Sequence, residues 1–251
     1  TLFLSLLLLS LSLSISCRTA EEWRTRSIYQ IITDRFARTD KEATPCSDLG
    51  NYCGGTFKGI ENNLDYIQGM GFDAIWISPV VANTPGGYHG YWVSNLYTIN
   101  EEFGTEEELH QLIEACHARD IWVMVDVVAN HIGYVQNLDF SAIVPFNDIA
   151  YFNEDKDCAP FFEIMDQDGI ETCWLSGLPD LNQNHPFVKS TLIAWIKEFV
   201  QKHKFDALRI DTIAHVPKQF WHEFSKAAGV YTIGEALNHN MHYISQYQGP
   251  L

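Results

Sequence analysis

The chain has 251 residues, of which 46% are hydrophobic and only 19% are charged. That apolar content is enough to build one large core, which excludes a disordered chain. The chain has 16 Lys and Arg and 32 Asp and Glu, so its net charge is -16. Most of the surface therefore repels a phosphate backbone, and nucleic acid is excluded as a partner.

An apolar run, residues 2–15, opens the chain and ends shortly before Arg18. A membrane span needs about 20 apolar residues and this run is shorter, so the pattern is typical of a signal-peptide core. We predict that residues 1–20 are a signal peptide cleaved within residues 16–20. The mature protein is then secreted and extracellular, without stable membrane insertion. A retained anchor is the alternative.

Five short apolar runs alternate with amphipathic helical runs, which is the pattern of a parallel sheet with crossover helices. The predicted strands are Ser27–Thr33, Phe72–Ile77, Ile121–Val128, Ala207–Ile210 and Val230–Ile233. Each run is mostly apolar, as strands that are covered on both faces usually are.

A helix between the second and third predicted strands has an apolar stripe at i, i+3, i+4 and i+7. The stripe consists of Leu109, Leu112, Ile113 and Cys116. A capping-box pair, Thr105 and Glu108, predicts where this helix begins. A second helix is predicted from Pro186, because Pro suits a first helical turn and apolar residues recur as far as Val200.

Residues 132–185 separate the third predicted strand from that second helix and show little periodicity. A segment of roughly fifty residues is too long for an ordinary loop. We predict a small inserted calcium-binding subdomain here, flanked by barrel segments at residues 21–131 and 186–251. The predicted fold class is α/β, a (β/α)8 TIM barrel that is incomplete here, with about five βα units in an N-terminal fragment.

The sequence contains six Cys, and five of them remain once Cys17 leaves with the signal peptide. Two pairs lie close together in irregular segments, where a disulfide closes a small loop. They are Cys46 with Cys53 and Cys158 with Cys173. The sequence leaves this connectivity open. Cys116 is the predicted unpaired thiol, because it lies on the apolar face of a helix.

Polar residues follow the C-terminal ends of the predicted strands, where barrel active sites are built. Asp211 and Glu235 follow adjacent strands and provide the two carboxylates that glycoside hydrolysis needs. Arg209 precedes Asp211 by two residues, so its side chain points to the same side and favours the ionised form of Asp211. We expect Glu235 to lie in a drier place and to keep its proton at neutral pH. Taken alone, either acid is more typical of a solvated loop than of a catalytic site.

The segments GYHGYW, DVVANH, LRIDTIAH and IGEAL, in this order, resemble the α-amylase clan of glycoside hydrolases. SIYQIITDRFART and LDYIQGMGFDAIWISPV resemble its fungal-type secreted members, and the resemblance covers residues 21–237. It implies retaining endo-hydrolysis of α-1,4-glucosidic bonds in starch. Asp211 then forms the covalent glycosyl intermediate, Glu235 is the general acid/base, and Arg209 holds the nucleophile ionised.

The same resemblance implies sugar contacts for His89, Tyr91, Trp92 and His131. Core packing is the alternative for Tyr91 and Trp92, and capping a turn is the alternative for His131. Asp126, within DVVANH, resembles a residue that orients neighbouring active-site groups and does not itself react.

The resemblance also implies a Ca²⁺ cofactor, held by oxygen ligands as a hard cation requires. The matching positions are Asn130 and Asp180 by side chain, with Glu171 and His215 by backbone carbonyl. The alignment at Glu171 depends on the nearby Cys173.

Two departures from the family pattern affect what we expect. Ala214 occupies a position where the family usually has a Lys that contacts sugars on the leaving-group side. The third family carboxylate, an Asp in a later His-Asp motif, lies beyond residue 251, so residues 21–251 alone are expected not to hydrolyse starch and to expose an open barrel edge.

Two rival functions remain open at this stage. One is an α-glucosidase or transglycosidase of the same clan that acts on short oligosaccharides. The other is an amylase-like binding or membrane-ancillary ectodomain without catalysis, a class that typically loses the carboxylates. Retention of Asp211 and Glu235 favours an enzyme. The oligomeric state is not indicated.

Overall fold

The computed structural model describes residues 18–41 and 45–249. The predicted signal peptide, residues 1–20, falls almost wholly outside these ranges, so its removal stays a prediction. Within them, none of the helices combines the length and the apolar character that crossing a bilayer requires.

A parallel sheet organises the fold. The strands of the described chain are β1 Ile28–Ile31, β2 Ala74–Ile77, β3 Val81–Asn83, β4 Val93–Ile99, β5 Trp122–Val127, β6 Ala207–Ile210 and β7 Tyr231–Gly234. Five of them form one sheet in the order β1-β2-β5-β6-β7, and every neighbouring pair is parallel. β3 and β4 form a separate antiparallel pair. Parallel strands that neighbour each other in chain order are those of a partial (β/α)8 barrel, as predicted.

Helices connect these strands. The α-helices are α1 Ala20–Trp23, α2 Thr33–Phe36, α3 Phe57–Glu61, α4 Leu64–Gly69, α5 Glu106–His117, α6 Ala159–Ile164, α7 Gln167–Ile170, α8 Pro186–His203, α9 Lys218–Ala228 and α10 Met241–Ser245. Short 3-10 turns lie at Gln136–Leu138, Ile149–Tyr151, Leu175–Gly177 and Ile213–His215.

All five predicted strands are present, and each begins and ends within two residues of its predicted bounds. The β3–β4 pair was not predicted. Its register shifts at two places, so the buried residues Val93 and Leu96 are three positions apart and do not alternate. The irregular pairing therefore hides the period of two by which a strand is recognised.

Both predicted helices are present, and each begins where the sequence predicts. Thr105 and Glu108 form a reciprocal capping box at the start of α5, and the predicted apolar stripe of that helix is buried. Pro186 occupies the first turn of α8. α9, whose buried face contains Phe220, Trp221 and Phe224, was not predicted.

The segment between β5 and α8 packs onto the carboxyl edge of the sheet. Phe152 and Leu181 form an isolated β-bridge in it, and both side chains belong to the same buried cluster as the barrel core. The segment is therefore held by the main core. Its boundaries as a separate subdomain, residues 132–185, stay a prediction.

The cysteines follow the sequence expectation. Cys46 pairs with Cys53, and Cys158 pairs with Cys173. Cys116 is a free, buried thiol. Burial raises the pKa of the Cys116 thiol to about 12, so it stays protonated and unreactive.

Candidate active site

The carboxyl ends of β5, β6 and β7 bring the predicted catalytic residues together. Asp126 and Arg209 are register partners on adjacent parallel strands, so their side chains emerge next to each other. Arg209 and Asp211 lie two residues apart and point to the same side. The backbone amides of Asp211 and Glu235 donate at 3.0 and 2.9 Å to carbonyls of the neighbouring strand, which continues the ladder into the site.

The guanidinium of Arg209 contacts three carboxylates. Its Nη1 donates to Oδ1 of Asp211 at 2.8 Å and to Oδ2 of Asp126 at 2.9 Å. Its Nη2 lies 3.0 Å from Oε2 of Glu235. The Arg209 side chain is only 11% exposed, so water screens these attractions weakly. One cation therefore organises three acids.

Asp126 is the most deeply buried of these acids. Its Oδ2 accepts hydrogen bonds from the Tyr91 hydroxyl at 2.9 Å and from Nε1 of Trp76 at 3.1 Å, in addition to Arg209. Burial raises the pKa of Asp126 to about 7, although Arg209 opposes that rise. The contacts fix the orientation of both Arg209 and Tyr91, which agrees with the orienting role expected for Asp126.

Asp211 has an unusual acidity for an aspartate. Burial raises the pKa of its carboxyl to about 6, and the negative charge of Glu235 adds to the rise. Arg209 favours the ionised form, as the sequence predicted, but the loss of hydration outweighs that attraction.

The expectation that Glu235 occupies the drier position is wrong. Its side chain is 38% exposed, whereas that of Asp211 is 10% exposed. β7 is an edge strand with no further described strand beside it, while β6 lies between two neighbours. Within residues 18–249, this difference in neighbouring strands accounts for the difference in exposure.

Two contributors to the site were missed by the sequence interpretation. Trp76 donates to Asp126, and the Arg209 guanidinium lies 5.2 Å from its ring centroid. The backbone amide of Thr212 donates to Oε2 of Glu235 at 3.2 Å, and its hydroxyl donates to Oδ2 of Asp211 at 3.3 Å. Two features of the sequence could have indicated these residues. Trp76 has the only side chain in β2 that can form a hydrogen bond. Thr212 directly follows Asp211, the candidate nucleophile.

Four predicted sugar-contacting residues form one wall beside these acids. Nδ1 of His89 accepts from the Tyr91 amide at 3.1 Å, and the two rings stack with centroids 5.6 Å apart. The Trp92 ring lies edge-on to His89, at 4.8 Å. Nε2 of His131 donates to the Tyr91 carbonyl at 3.2 Å. Tyr91 thus connects the wall to the carboxylate cluster through its hydroxyl.

Three of the predicted calcium ligands meet where the segment after β5 packs on the sheet. The inward-facing amide atom of Asn130 lies 2.9 Å from the carbonyl oxygen of His215 and 3.0 Å from Oδ1 of Asp180. Asn130 and Asp180 are completely buried. Oδ2 of Asp180 accepts from Nδ2 of Asn153 at 2.7 Å, which leaves Oδ1 directed at Asn130.

The hydrogen bonds of His131 decide which amide atom of Asn130 faces that cluster. Nε2 of His131 carries the proton, because the Tyr91 carbonyl can only accept. Nδ1 of the neutral ring then accepts from Nδ2 of Asn130, 3.1 Å away. Oδ1 of Asn130 is left facing two other oxygens, an arrangement that a hard cation between them stabilises. Without a cation, the reversed amide donates to both oxygens. The donor set therefore fits Ca²⁺.

Glu171 lies next to this oxygen cluster, with its side chain engaged elsewhere. Its Oε1 accepts from Nε2 of Gln167 at 2.7 Å. Burial lowers the pKa of His215, and the carbonyl of Ile170, the residue before Glu171, opposes that change. The predicted ligand, the carbonyl of Glu171, belongs to the same turn at the end of α7.

A cavity of about 440 Å³ opens beside the acids. It is bounded by Glu235, Thr212 and Ala214 on one side and by Met165 and Tyr243 on the other. A second cavity, about 610 Å³, is lined by Trp76, Arg209 and Glu235. A third, about 860 Å³, lies at the opposite, amino-terminal ends of the strands and contains none of the predicted site residues. The first two cavities therefore adjoin the predicted chemistry.

The sequence profile of the family described as "Alpha amylase, catalytic domain" matches residues 30–250. This range contains all of the acids, the aromatic wall and the oxygen cluster. The chain belongs to the α-amylase family.

Named relatives agree with this family assignment. Alpha-amylase 2 of Schizosaccharomyces pombe is 46% identical over 233 residues, covering 86% of this chain and 40% of the relative. The alpha-amylase of Saccharomycopsis fibuligera is 43% identical, covering 91% of this chain and 49% of the relative. The chain thus spans less than half the length of these relatives.

Solved α-amylase structures share the fold. The enzyme from Malbranchea cinnamomea superposes with a TM-score of 0.87 at 43% identity, covering 92% of this chain and 51% of that one. The Geobacillus thermoleovorans α-amylase, solved in complex with acarbose, gives 0.80 at 38% identity, covering 90% and 49%.

Ala214 lies in the wall of the 440 Å³ cavity. Its backbone carbonyl accepts from Nε2 of Gln167 at 3.0 Å, and its methyl side chain lines the cavity wall. A Lys at this position would place a cation there, so this part of the cavity wall is apolar in this chain.

Proposed function

We propose that the full-length protein hydrolyses α-1,4-glucosidic bonds in starch and related glucans with retention of configuration. The observation that carries the proposal is that one guanidinium, that of Arg209, contacts both Asp211 and Glu235, which holds the two carboxyls close together. Retaining glycosidases need closely spaced carboxyls, because one of them attacks the sugar directly. Inverting enzymes space their carboxyls further apart, which leaves room for a water molecule between the general base and the sugar.

The reaction proceeds in two steps. The ionised carboxylate of Asp211 attacks the anomeric carbon while Glu235 gives its proton to the leaving glycosidic oxygen, which forms a glycosyl ester. Glu235, now ionised, then takes a proton from water as that water attacks the anomeric carbon and releases Asp211. Arg209 balances the negative charge that moves between the two acids.

The aromatic wall, which includes the two histidines, binds the substrate in this proposal. His89, Tyr91, Trp92 and His131 present ring faces and imidazole groups beside the acids, and sugars bind such mixed surfaces. A relative from Geobacillus was solved with acarbose, so we infer an α-glucan as substrate here. The two disulfides favour an oxidising, extracellular location.

Ca²⁺ is proposed as the cofactor, held by the side chains of Asn130 and Asp180 and by the carbonyls of Glu171 and His215. The ion would join the segment after β5 to the barrel edge and supply charge that stabilises this arrangement. His131 bonds to Asn130, so the ordering of the metal ligands also positions a sugar-contacting imidazole.

The test of function uses the full-length gene product with soluble starch. Proton NMR of newly released ends should show the α-anomer first, and Glu235→Gln should show none. A first-formed β-anomer would contradict retention. Release only from short oligosaccharides, or products longer than the substrate, would support the glucosidase or transglycosidase alternative. Absence of any hydrolysis would support the binding ectodomain. The inactivity of residues 21–251 alone stays a prediction.

The acid limb of the pH profile should lie higher than for an ordinary aspartate. Asp211 must be ionised to attack, and its pKa is raised to about 6. As the pH falls below that value the protonated fraction grows, so kcat/KM should fall about tenfold per pH unit. The measurement is kcat/KM for starch between about pH 3 and pH 8, a range that includes the usual aspartate pKa.

Thr212→Val provides the matched variant for this pH profile. The Thr212 hydroxyl donates to Asp211 and favours the ionised form, so its loss should move the acid limb to still higher pH. A wild-type limb near the usual aspartate pKa, about 4, would contradict the assignment.

Calcium removal should lower the thermal stability of the full-length protein. At Ca²⁺ 100 times above its Kd, binding contributes about 2.7 kcal/mol, and a chelator removes that contribution. Asp180→Asn should lose the sensitivity to chelator, because the buried carboxylate that faces Asn130 is gone. The measurement is the unfolding midpoint with and without chelator. Asp168→Asn, an exposed change on α7, is the control and should respond like wild type.

A further inference from the structure

We propose that Glu106, His110 and His203 form a zinc site that joins α5 to α8 on the outer surface of the barrel. Glu106 and His110 are four residues apart on α5, so they share one face of that helix. His203 is the last residue of α8. The three side chains belong neither to the catalytic cluster nor to the proposed calcium site.

The ligand atoms are close enough for one ion. Nε2 of His110 lies 2.9 Å from Nδ1 of His203. Oε1 of Glu106 lies 3.9 Å from Nε2 of His110, and the three ligand atoms, one from each residue, all lie within 4.8 Å of one another. Tetrahedral zinc with Zn–N bonds of about 2.0–2.1 Å separates its two nitrogens by about 3.3 Å. The imidazoles need to part by only a few tenths of an ångström to admit the ion.

The surroundings combine a rigid anchor with access from solvent. His203 is 4% exposed and packs against Phe199 and Phe205, which fixes its ring. The side chains of Glu106 and His110 are 41% and 33% exposed, so an ion enters from their side. Two imidazoles and a carboxylate are a zinc-type ligand set, and water completes the tetrahedron.

Lys202 is the competitor for this position. Its ammonium pairs with Oε1 of Glu106, the same oxygen that faces both imidazoles. The Lys202 side chain is 54% exposed and can swing into solvent when zinc arrives. A second group of potential ligands in the described chain, Cys158, Cys173 and His215, is unavailable because its sulfurs form a disulfide.

The test is calorimetric titration of ZnCl₂ into the full-length protein, with Ca²⁺ in excess to saturate the oxygen cluster. Wild type should bind one zinc ion at this site. His110→Gln and Glu106→Gln should each lose at least about tenfold in affinity, since even an outer partner of a ligand is worth that much. Lys202→Met should tighten binding by about 1.5- to 5-fold, the worth of an exposed ion pair.

His117→Gln is the matched control, because His117 lies on the same helix with 35% of its side chain exposed and bonds to Asp206 instead. It should bind zinc like wild type. Zinc should also raise the unfolding midpoint of wild type and His117→Gln but not that of His110→Gln. Equal losses in His110→Gln and His117→Gln, or no binding by wild type, would overturn the proposal.

Discussion

Replacing Asp211 with Asn in the full-length protein is expected to lower kcat for starch by at least about 10⁴-fold, the order of loss when a member of a catalytic unit is removed. Asn keeps the size of the side chain but cannot form the glycosyl ester. The stability of the folded state should not fall, because removing the Asp211 carboxylate leaves one buried acid fewer to compete for Arg209. Initial rates and the unfolding midpoint measure the two effects.

Asp206→Asn is the control for this substitution. Asp206 precedes β6 at the end opposite to Asp211 and accepts from the Val123 amide at 2.8 Å. Its loss should affect stability while kcat stays within a few-fold of wild type. If Asp211→Asn kept a tenth or more of the wild-type kcat, Asp211 would not be the nucleophile.

Replacing Arg209 with Met should abolish hydrolysis and lower the free energy of unfolding by about 3–5 kcal/mol, the usual cost of removing one partner from buried ion pairs. Asp126, Asp211 and Glu235 would lose their shared cation, and the first two are almost completely enclosed. Denaturant unfolding at pH 7 measures the loss.

The pH dependence separates this charge effect from lost packing. Loss of Arg209 raises the pKa of Asp126 and of Asp211 further, so the folded variant binds more protons than folded wild type, and the stability deficit should shrink as the pH falls from 7 to 5. Arg119→Met, which breaks an ion pair with the exposed Asp65, should cost no more than about 1 kcal/mol. A deficit in Arg209→Met that stays constant with pH would contradict the electrostatic explanation.

Some of the site could be predicted because strand geometry is local. Arg209 and Asp211 share a side because side chains alternate along β6, and the capping box of α5 is fixed by two residues three positions apart. The short loops between Cys46 and Cys53 and between Cys158 and Cys173 favoured the disulfides that the structure contains.

Other features depend on residues far apart in the chain. Trp76 meets Asp126 only through the register of parallel strands, and the β3–β4 pair is hidden by its irregular pairing. His110 and His203 are 93 residues apart and come together only because α5 packs beside α8.

The sequence by itself determined the order of the strands and the strand ends at which Asp211 and Glu235 lie, because buried apolar runs carry that information, whereas the catalytic roles of the two acids are implied by the resemblance to the α-amylase family. Only the tertiary structure decided that Asp211 is enclosed, on a strand with a neighbour on each side, and that its pKa rises. Desolvation depends on which strands and segments cover a residue, and that covering is assembled from distant parts of the chain.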